Sequence, residues 1–318
     1  MSIATPAKTL IPTSTPRSGK SAGTLGKFHL LALCAQESRY AVQVIFLLRF
    51  LVAGTAGTAS YVSHLAIRPS LVLGAAVWFC SVAFTYLYNG VTDIHEDRAN
   101  GSVRPIARGA LPVRFARNTA RLLAALALTG GAVLGPLMFL VTAGMLLLGY
   151  AYSAPGLALK SRTPGTIAVV VASGALAYTA GALSGAAPLS PALLAFSAAM
   201  CLWMGMVGAV AKDFSDAEGD AKHGRRNWTV VWGRAVTALI VSLSAVGIGA
   251  ALLVCAVATA SYGLLAPAGV VLCGALALSA AALTARPDDS RARRRLPYRI
   301  FMVTQYAAHL VTFAQPIA

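Results

Sequence analysis

Two runs of oxygen-bearing side chains have the types and spacing to do chemistry. Asn89, Asp93 and Asp97 recur every four residues. On a helix that spacing turns each about 40° from the last, so all three share one face. Asp213, Asp216 and Asp220, spaced three and four, repeat the arrangement. Each run leaves the end of an apolar stretch, Pro69 to Tyr88 in the first case. A carboxylate at the edge of a membrane is costly unless something pairs with it, which marks it as functional. Oxygen-only donors suit hard cations such as Mg²⁺, which binds through a few carboxylates together with substrate phosphates. Either run alone also reads as a capped, solvated loop. Two with the same chemistry and surroundings point instead to one shared site, in which two or three Mg²⁺ ions would neutralise a diphosphate and help it leave as pyrophosphate.

Basic residues stand near both runs. Arg104 and Arg108 follow the first; Lys160 and Arg162 follow a later apolar segment; Lys212, Lys222, Arg225 and Arg226 surround the second. Arginine reads phosphate through a bidentate fork and lysine as a point charge. Any one of them also reads as a charge that orients the chain in a membrane. For Arg114, Arg117 and Arg293 to Arg295 we take that reading; Arg104, Lys160 and Lys212 are the candidates for diphosphate contact.

The rest of the chain must hold these groups in place. Of 318 residues 57% are hydrophobic and only 11% charged, where a soluble domain carries about 25% charged residues. Mean hydropathy is +0.70. This is the composition of a polytopic membrane protein. A net charge of +16 suggests nucleic acid only until its placement is seen: the basic residues fall in short loops between apolar segments. No nucleic-acid or protein partner is expected, only lipid and small molecules. The five cysteines form no CxxC and the five histidines no HxxxH, which argues against zinc and disulfide chemistry.

Residues 1–27, rich in Ser, Thr, Pro, Gly and Lys, read as a disordered tail, and 28–318 as one membrane-embedded domain. An interfacial helix is expected over about 28–46, with Lys27, Glu37 and Arg39 at the surface. Nine spans follow, at about 48–67, 70–91, 113–130, 132–151, 165–184, 190–212, 234–257, 261–283 and 298–316. Starting the first at 48 leaves Arg49 at its cytoplasmic end; a start at Tyr40 would bury that arginine. With the N-terminus in the cytoplasm, every Lys and Arg except Arg68, and all ten acidic residues, fall on or bordering the cytoplasmic side. The C-terminus then lies outside, and both acidic runs face the cytoplasm. A span ending in an acidic run and a basic loop occurs as the second and again as the sixth. That predicts two four-helix halves plus a ninth helix, with the site between the halves.

These motifs resemble a known family. Asn89-x3-Asp93-x3-Asp97, followed by Asn100 and Arg104-Pro105-Ile106-x2-Gly109, is similar to the first signature of UbiA-type intramembrane prenyltransferases. Lys212-Asp213-Phe214-Ser215-Asp216-Ala217-Glu218-Gly219-Asp220 resembles the second, in the form of the homogentisate prenyltransferase and chlorophyll synthase branch. Tyr150-Ala151-Tyr152-Ser153-Ala154-Pro155, ending at Lys160, is similar to the family's Tyr-Ser-x-Pro loop. The resemblance implies an all-α fold around a central cavity. It implies Mg²⁺ on Asn89, Asp93, Asp97, Asp213, Asp216 and Asp220, and a prenyl diphosphate on Asn89, Arg104, Lys160 and Lys212. It also implies transfer of the prenyl group to an aromatic, phenolic or quinone-precursor, acceptor, with Asp93, Asp97, Asp213, Asp220 and Tyr150 as the catalytic set. There are departures. Gly90 stands where many members carry Asp, Phe50 follows Arg49 where Pro is common, and Gly156 replaces a second Pro.

The residues agree with that chemistry. Glu218 lies about 200° from Asp216 on a helix and points away from the acidic face. Tyr86, Tyr88, Tyr150, Tyr152 and Trp203 are placed either to stabilise a cation or to form an interfacial belt. An intramembrane terpene cyclase would use the same diphosphate site without an acceptor. A transporter would place its acids near mid-bilayer rather than at one edge.

Overall fold

Apolar runs punctuated by Pro, Gly and basic loops fold into a helical bundle, and no strand element is present among the described residues. The computed structural model describes residues 25–56, 68–99, 101–215, 217–222, 224–286 and 288–314. Asn100, Asp216, the Glu218 and Lys222 side chains, most of the expected tail and the second half of the first expected span lie outside them.

Helix α1 (Leu25–Glu37) and α2 (Tyr40–Gly54) meet at a 68° bend, where Arg39 takes φ 56. Then come α3 (Pro69–Thr92), α4 (Ile94–Ala99), α5 (Val113–Leu134), α6 (Pro136–Ser153), α7 (Thr163–Gly185) and α8 (Pro191–Leu202). Pro opens α3, α6 and α8, where its fixed φ suits a helix and its missing N–H costs nothing. Helix α8 runs into a π-helical turn, Trp203–Gly208, then α9 (Ala209–Ala211) and a 3₁₀ turn, Lys212–Ser215. The last group is α10 (Ala217–Lys222), α11 (Trp228–Ala258, kinked at Gly233 where φ is 79), α12 (Leu265–Thr284), α13 (Arg291–Arg294) and α14 (Leu296–Ala314).

The protein is an integral multi-pass membrane protein. Among the described residues six helices are long and apolar enough to cross a bilayer alone, or seven if the bent α1–α2 pair is one span. Helices α5 and α14 lie near expected spans but fall outside that set. Helix α5 carries Arg114, Arg117 and Arg121; α14 carries Arg299, Gln305 and His309. Both are nonetheless packed into the bundle, α5 on α3 and α14 on α12.

The first expected span needs correcting. The interfacial helix stops at Glu37 rather than 46, and the next begins at Tyr40. Arg49 is therefore fully buried, donating to Gln305 Oε1 at 3.0 Å with its guanidinium over the Phe46 ring. The 68° bend turns the chain inward eight residues earlier than hydropathy suggests.

Helices α2 and α7 are in close backbone contact. A Cβ on Gly181 would collide with the Phe50 carbonyl, and one on Gly185 with the Gly54 carbonyl. Small residues let helix backbones approach this closely in lipid, where packing rather than water drives association. One buried cluster gathers Phe46, Phe50, Trp78 and Met145; another gathers Phe196, Trp203, Val241 and Phe301. The two acidic segments meet between these halves.

Candidate active site

The first acidic arm is a helix with a break in it. Helix α3 ends at Thr92, and Asp93 has φ −93 and ψ 9. The backbone bonds Asp93 N–H to Asn89 O (2.9 Å) and Asp97 N–H to Asp93 O (2.8 Å) carry across. Helical phase therefore survives, and the expected common face is kept. Asn89 Nδ2 donates to Asp93 Oδ2 at 2.8 Å and to Ser153 Oγ at 3.0 Å. The Lys160 ammonium pairs with Asp93, and Arg104 NH1 pairs with Asp97 at 2.9 Å.

The second arm is not the regular helix that its spacing assumes, although Asp213 and Asp220 still line one cavity. The π turn, the 3₁₀ turn and α10 replace one continuous α-helix, and Asp213 sits within the 3₁₀ turn. Asp220 is 5% exposed. It accepts from Asn227 Nδ2 at 2.7 Å and lies 3.7 Å from Arg225. Asn227 Oδ1 accepts the Val230 N–H at 2.9 Å, so this one amide both holds Asp220 and caps α11.

Arg225 ties the arms together. Its NH2 lies 2.5 Å from Glu96 Oε1. Burial penalises its charge, but Glu96 and Asp220 outweigh that and hold its pKa above the ordinary arginine value. Asn89, Asp93, Asp97, Arg104, Lys160, Lys212, Asp213 and Asp220 all line one cavity of about 680 Å³. Beyond this charged end the lining turns apolar, with Phe46, Met145, Val169, Met204 and Met302.

The donor set around the cavity fits a hard cation in kind, since every acid offers oxygen only. Among the described residues no three acidic, histidine or cysteine side chains are drawn into a ligand cluster. Asp93, Glu96 and Asp97 each pair with Lys160, Arg225 or Arg104. Acids that converge in a partly buried space repel one another unless cations sit between them.

The structure separates residues that the sequence left together. Tyr150 is half exposed, stacks on Tyr88 with ring centroids 5.5 Å apart, and does not line the cavity. Tyr152 does, with Tyr86. Residues i and i+2 on a helix face roughly opposite ways, so placing Tyr152 inward turns Tyr150 out. Trp203 is buried against Phe301, with centroids 6.3 Å apart, rather than lining the cavity. Two acids that spacing did not single out pair with basic residues of the site, Glu96 in the cavity lining and Glu37 behind it. Glu96 lies three residues after Asp93, a neighbour on the same helix face. Glu37, expected at the surface, is fully buried and 2.6 Å from Arg104 NH2; nothing in its local sequence marks it.

Fold and site together define a class: an all-helical membrane bundle whose two halves bring acidic and basic side chains to one half-apolar cavity. The chain belongs to the UbiA prenyltransferase family, whose model matches residues 47–304. It is 32% identical over 159 residues to the bacteriochlorophyll synthase 33 kDa chain of Cereibacter sphaeroides, a match covering 47% of this chain and 50% of that one. The chain thus spans about half the length of this curated relative. Its fold is shared with a UbiA homologue from Archaeoglobus fulgidus solved bound to DMAPP and Mg²⁺ (TM-score 0.62, 19% identity, covering 87% of this chain and 99% of that one). It is also shared with a UbiA homologue from Aeropyrum pernix solved in its apo form (TM-score 0.63, 16% identity, 84% and 95%).

Proposed function

We propose that the protein transfers a prenyl group from an allylic prenyl diphosphate to an aromatic acceptor, phenolic or quinone-precursor, and releases pyrophosphate. The observation that carries this is a cavity with acids and bases from both halves at one end and an apolar lining beyond. A diphosphate head and a hydrocarbon tail need those two environments in that order. The Archaeoglobus homologue's bound DMAPP and Mg²⁺ support the donor class.

Asp93, Asp97, Asp213 and Asp220, with Asn89, would hold Mg²⁺, and Asp216 joins them by its motif position. Bound there, Mg²⁺ supplies Lewis-acid stabilisation of the leaving diphosphate. Lys160 and Arg104, now paired with Asp93 and Asp97, are within reach of phosphate oxygens once those carboxylates are otherwise engaged. Lys212 faces the same space. Tyr86 and Tyr152 offer ring faces where positive charge develops on the prenyl carbon, each worth about 0.5–2 kcal/mol. The buried apolar lining excludes water that would otherwise capture that carbon.

The bacteriochlorophyll synthase relative favours a second reading, in which the acceptor is a pigment precursor. The test is purified protein with Mg²⁺, a panel of prenyl diphosphates, and panels of aromatic acids and pigment precursors, read by mass spectrometry. A prenylated aromatic product is expected, and its loss on adding EDTA. Full activity in metal-free buffer overturns the mechanism, and a hydrocarbon or alcohol formed from diphosphate alone identifies a cyclase.

The segregation of Lys and Arg supports a cytoplasmic N-terminus and a cavity opening to the cytoplasm. A cysteine placed at Asp288 should then resist an impermeant thiol reagent in intact cells, and one at Pro188 should react. The reverse pattern inverts the orientation.

A further inference from the structure

Glu37 ends α1, an element outside both acidic arms, yet its side chain is completely buried. Its Oε1 lies 2.6 Å from Arg104 NH2, and its Oε2 accepts the Ile106 N–H at 3.0 Å. Arg104 is thereby divided between two acids. NH2 faces the Glu37 carboxylate and also donates to the main-chain carbonyls of Tyr86 (3.3 Å) and Glu37 (3.4 Å), while NH1 faces Asp97 at 2.9 Å and Asn89 Oδ1 at 3.4 Å.

Space for this arrangement comes from residue 90. A Cβ on Gly90 would overlap Glu37 Oε1 and stand 2.9 Å from Arg104 NH2. A side chain at 90 and the Glu37 carboxylate are therefore alternatives for one volume beside one guanidinium. The glycine is helical and carries no positive φ. Backbone geometry does not require it, but the approach of Glu37 does.

We propose that Glu37 is a positioning residue for the diphosphate site: its carboxylate, admitted by Gly90, holds the NH2 edge of Arg104 so that only NH1 meets Asp97. This rests on the reading of the cavity as a Mg²⁺–diphosphate site. The consequence follows from guanidinium geometry. Arginine and a carboxylate prefer a two-point, fork-to-fork pair. Without the Glu37 carboxylate only two long main-chain contacts hold NH2; the charge of Asp97 then draws both nitrogens onto itself, and one cation and one carboxylate are lost to the site together. With Glu37 in place, Arg104 keeps a fixed partner when Asp97 turns to a metal ion, and its NH1 is left pointing into the cavity.

The experiment is calorimetric titration of the full-length protein in detergent with inorganic pyrophosphate in the presence of Mg²⁺, which needs neither acceptor nor prenyl chain. Wild type should bind; if it does not, the diphosphate reading itself falls. Given wild-type binding, Glu37→Gln and Glu37→Ala should weaken affinity by about 10-fold or more, the lower end of the loss seen when a group that orients a metal ligand is removed. The double variant Glu37→Ala/Gly90→Asp supplies a carboxylate to the same volume from α3, and it should recover affinity to within about threefold of wild type. A mere tether of α1 gives a different result, because Asp at 90 does not restore a contact to α1. Wild-type affinity in Glu37→Gln, or a double variant no better than Glu37→Ala, overturns the proposal and leaves the diphosphate reading standing.

Discussion

The two acidic arms carry similar residues but are held by different physics. In the first arm, Asp93 and Asp97 ride a helix whose hydrogen bonds continue across its break, and cations from elsewhere pair with them. In the second, π, 3₁₀ and short α turns follow one another, and Asp220 both accepts from the neutral amide of Asn227 and faces Arg225. The first arm is thus a fixed face kept in place by charge. The second is an irregular segment whose Asp220 shares the Asn227 amide with the start of the next helix. Irregular turns inside membrane helices occur where the backbone lines a cavity, and π turns often mark functional sites.

The largest expected effect tests whether the arms form one site. Asp93→Ala and Asp213→Ala should each lower turnover by about 10²-fold or more, the scale of losing one electrostatic stabiliser of leaving-group charge. The double variant should be little worse than the worse single, because groups acting as a unit are strongly non-additive. Initial rates with saturating Mg²⁺ decide it; losses that multiply would make the arms independent sites.

Next is the strut between the arms. Glu96→Gln removes the charge that pairs with Arg225 while keeping its shape. Turnover should fall by about 10-fold, in the range for outer partners of a metal site. Thermal unfolding should stay near wild type. Unchanged kinetics would mean that the arms are aligned by the bundle alone.

A smaller effect isolates the second arm. Asn227→Ser keeps a capping side chain, which is worth about 1 kcal/mol to α11, but is too short to reach Asp220. We expect near-normal thermal stability with activity reduced about threefold to tenfold. Equal loss of stability and activity would assign Asn227 to the helix and not to the site. The smallest effect is the control. Asp288→Ala, a carboxylate in neither arm, should leave the rate within about twofold of wild type.

Much of this was legible in the sequence because it depends on local spacing. Beyond the first span, the apolar lengths gave the helices to within a few residues, and the i, i+4 pattern gave the face shared by Asn89, Asp93 and Asp97. The kink at Gly233 stands one residue before the expected span start at 234, because a glycine can take a φ that a helix interior forbids. Paired motifs of one chemistry on either side of the bundle were enough to indicate that both line one cavity.

Tertiary structure decided whatever depends on rotation or long-range approach. Spacing says that Tyr150 and Tyr152 face opposite ways, but not which faces the cavity; the packing of α6 against its neighbours sets that rotation. Glu37 and Arg49 read as surface charges because hydropathy treats each residue alone. One is buried because Gly90 leaves room beside Arg104, and the other because the chain bends by 68° before Tyr40 and α14 brings Gln305 to meet it. The pair Glu96–Arg225 joins halves that are distant in sequence. A carboxylate's partner is fixed by distance in space, so composition and periodicity identified the charged groups of this protein, and only the folded bundle determined which of them face one another.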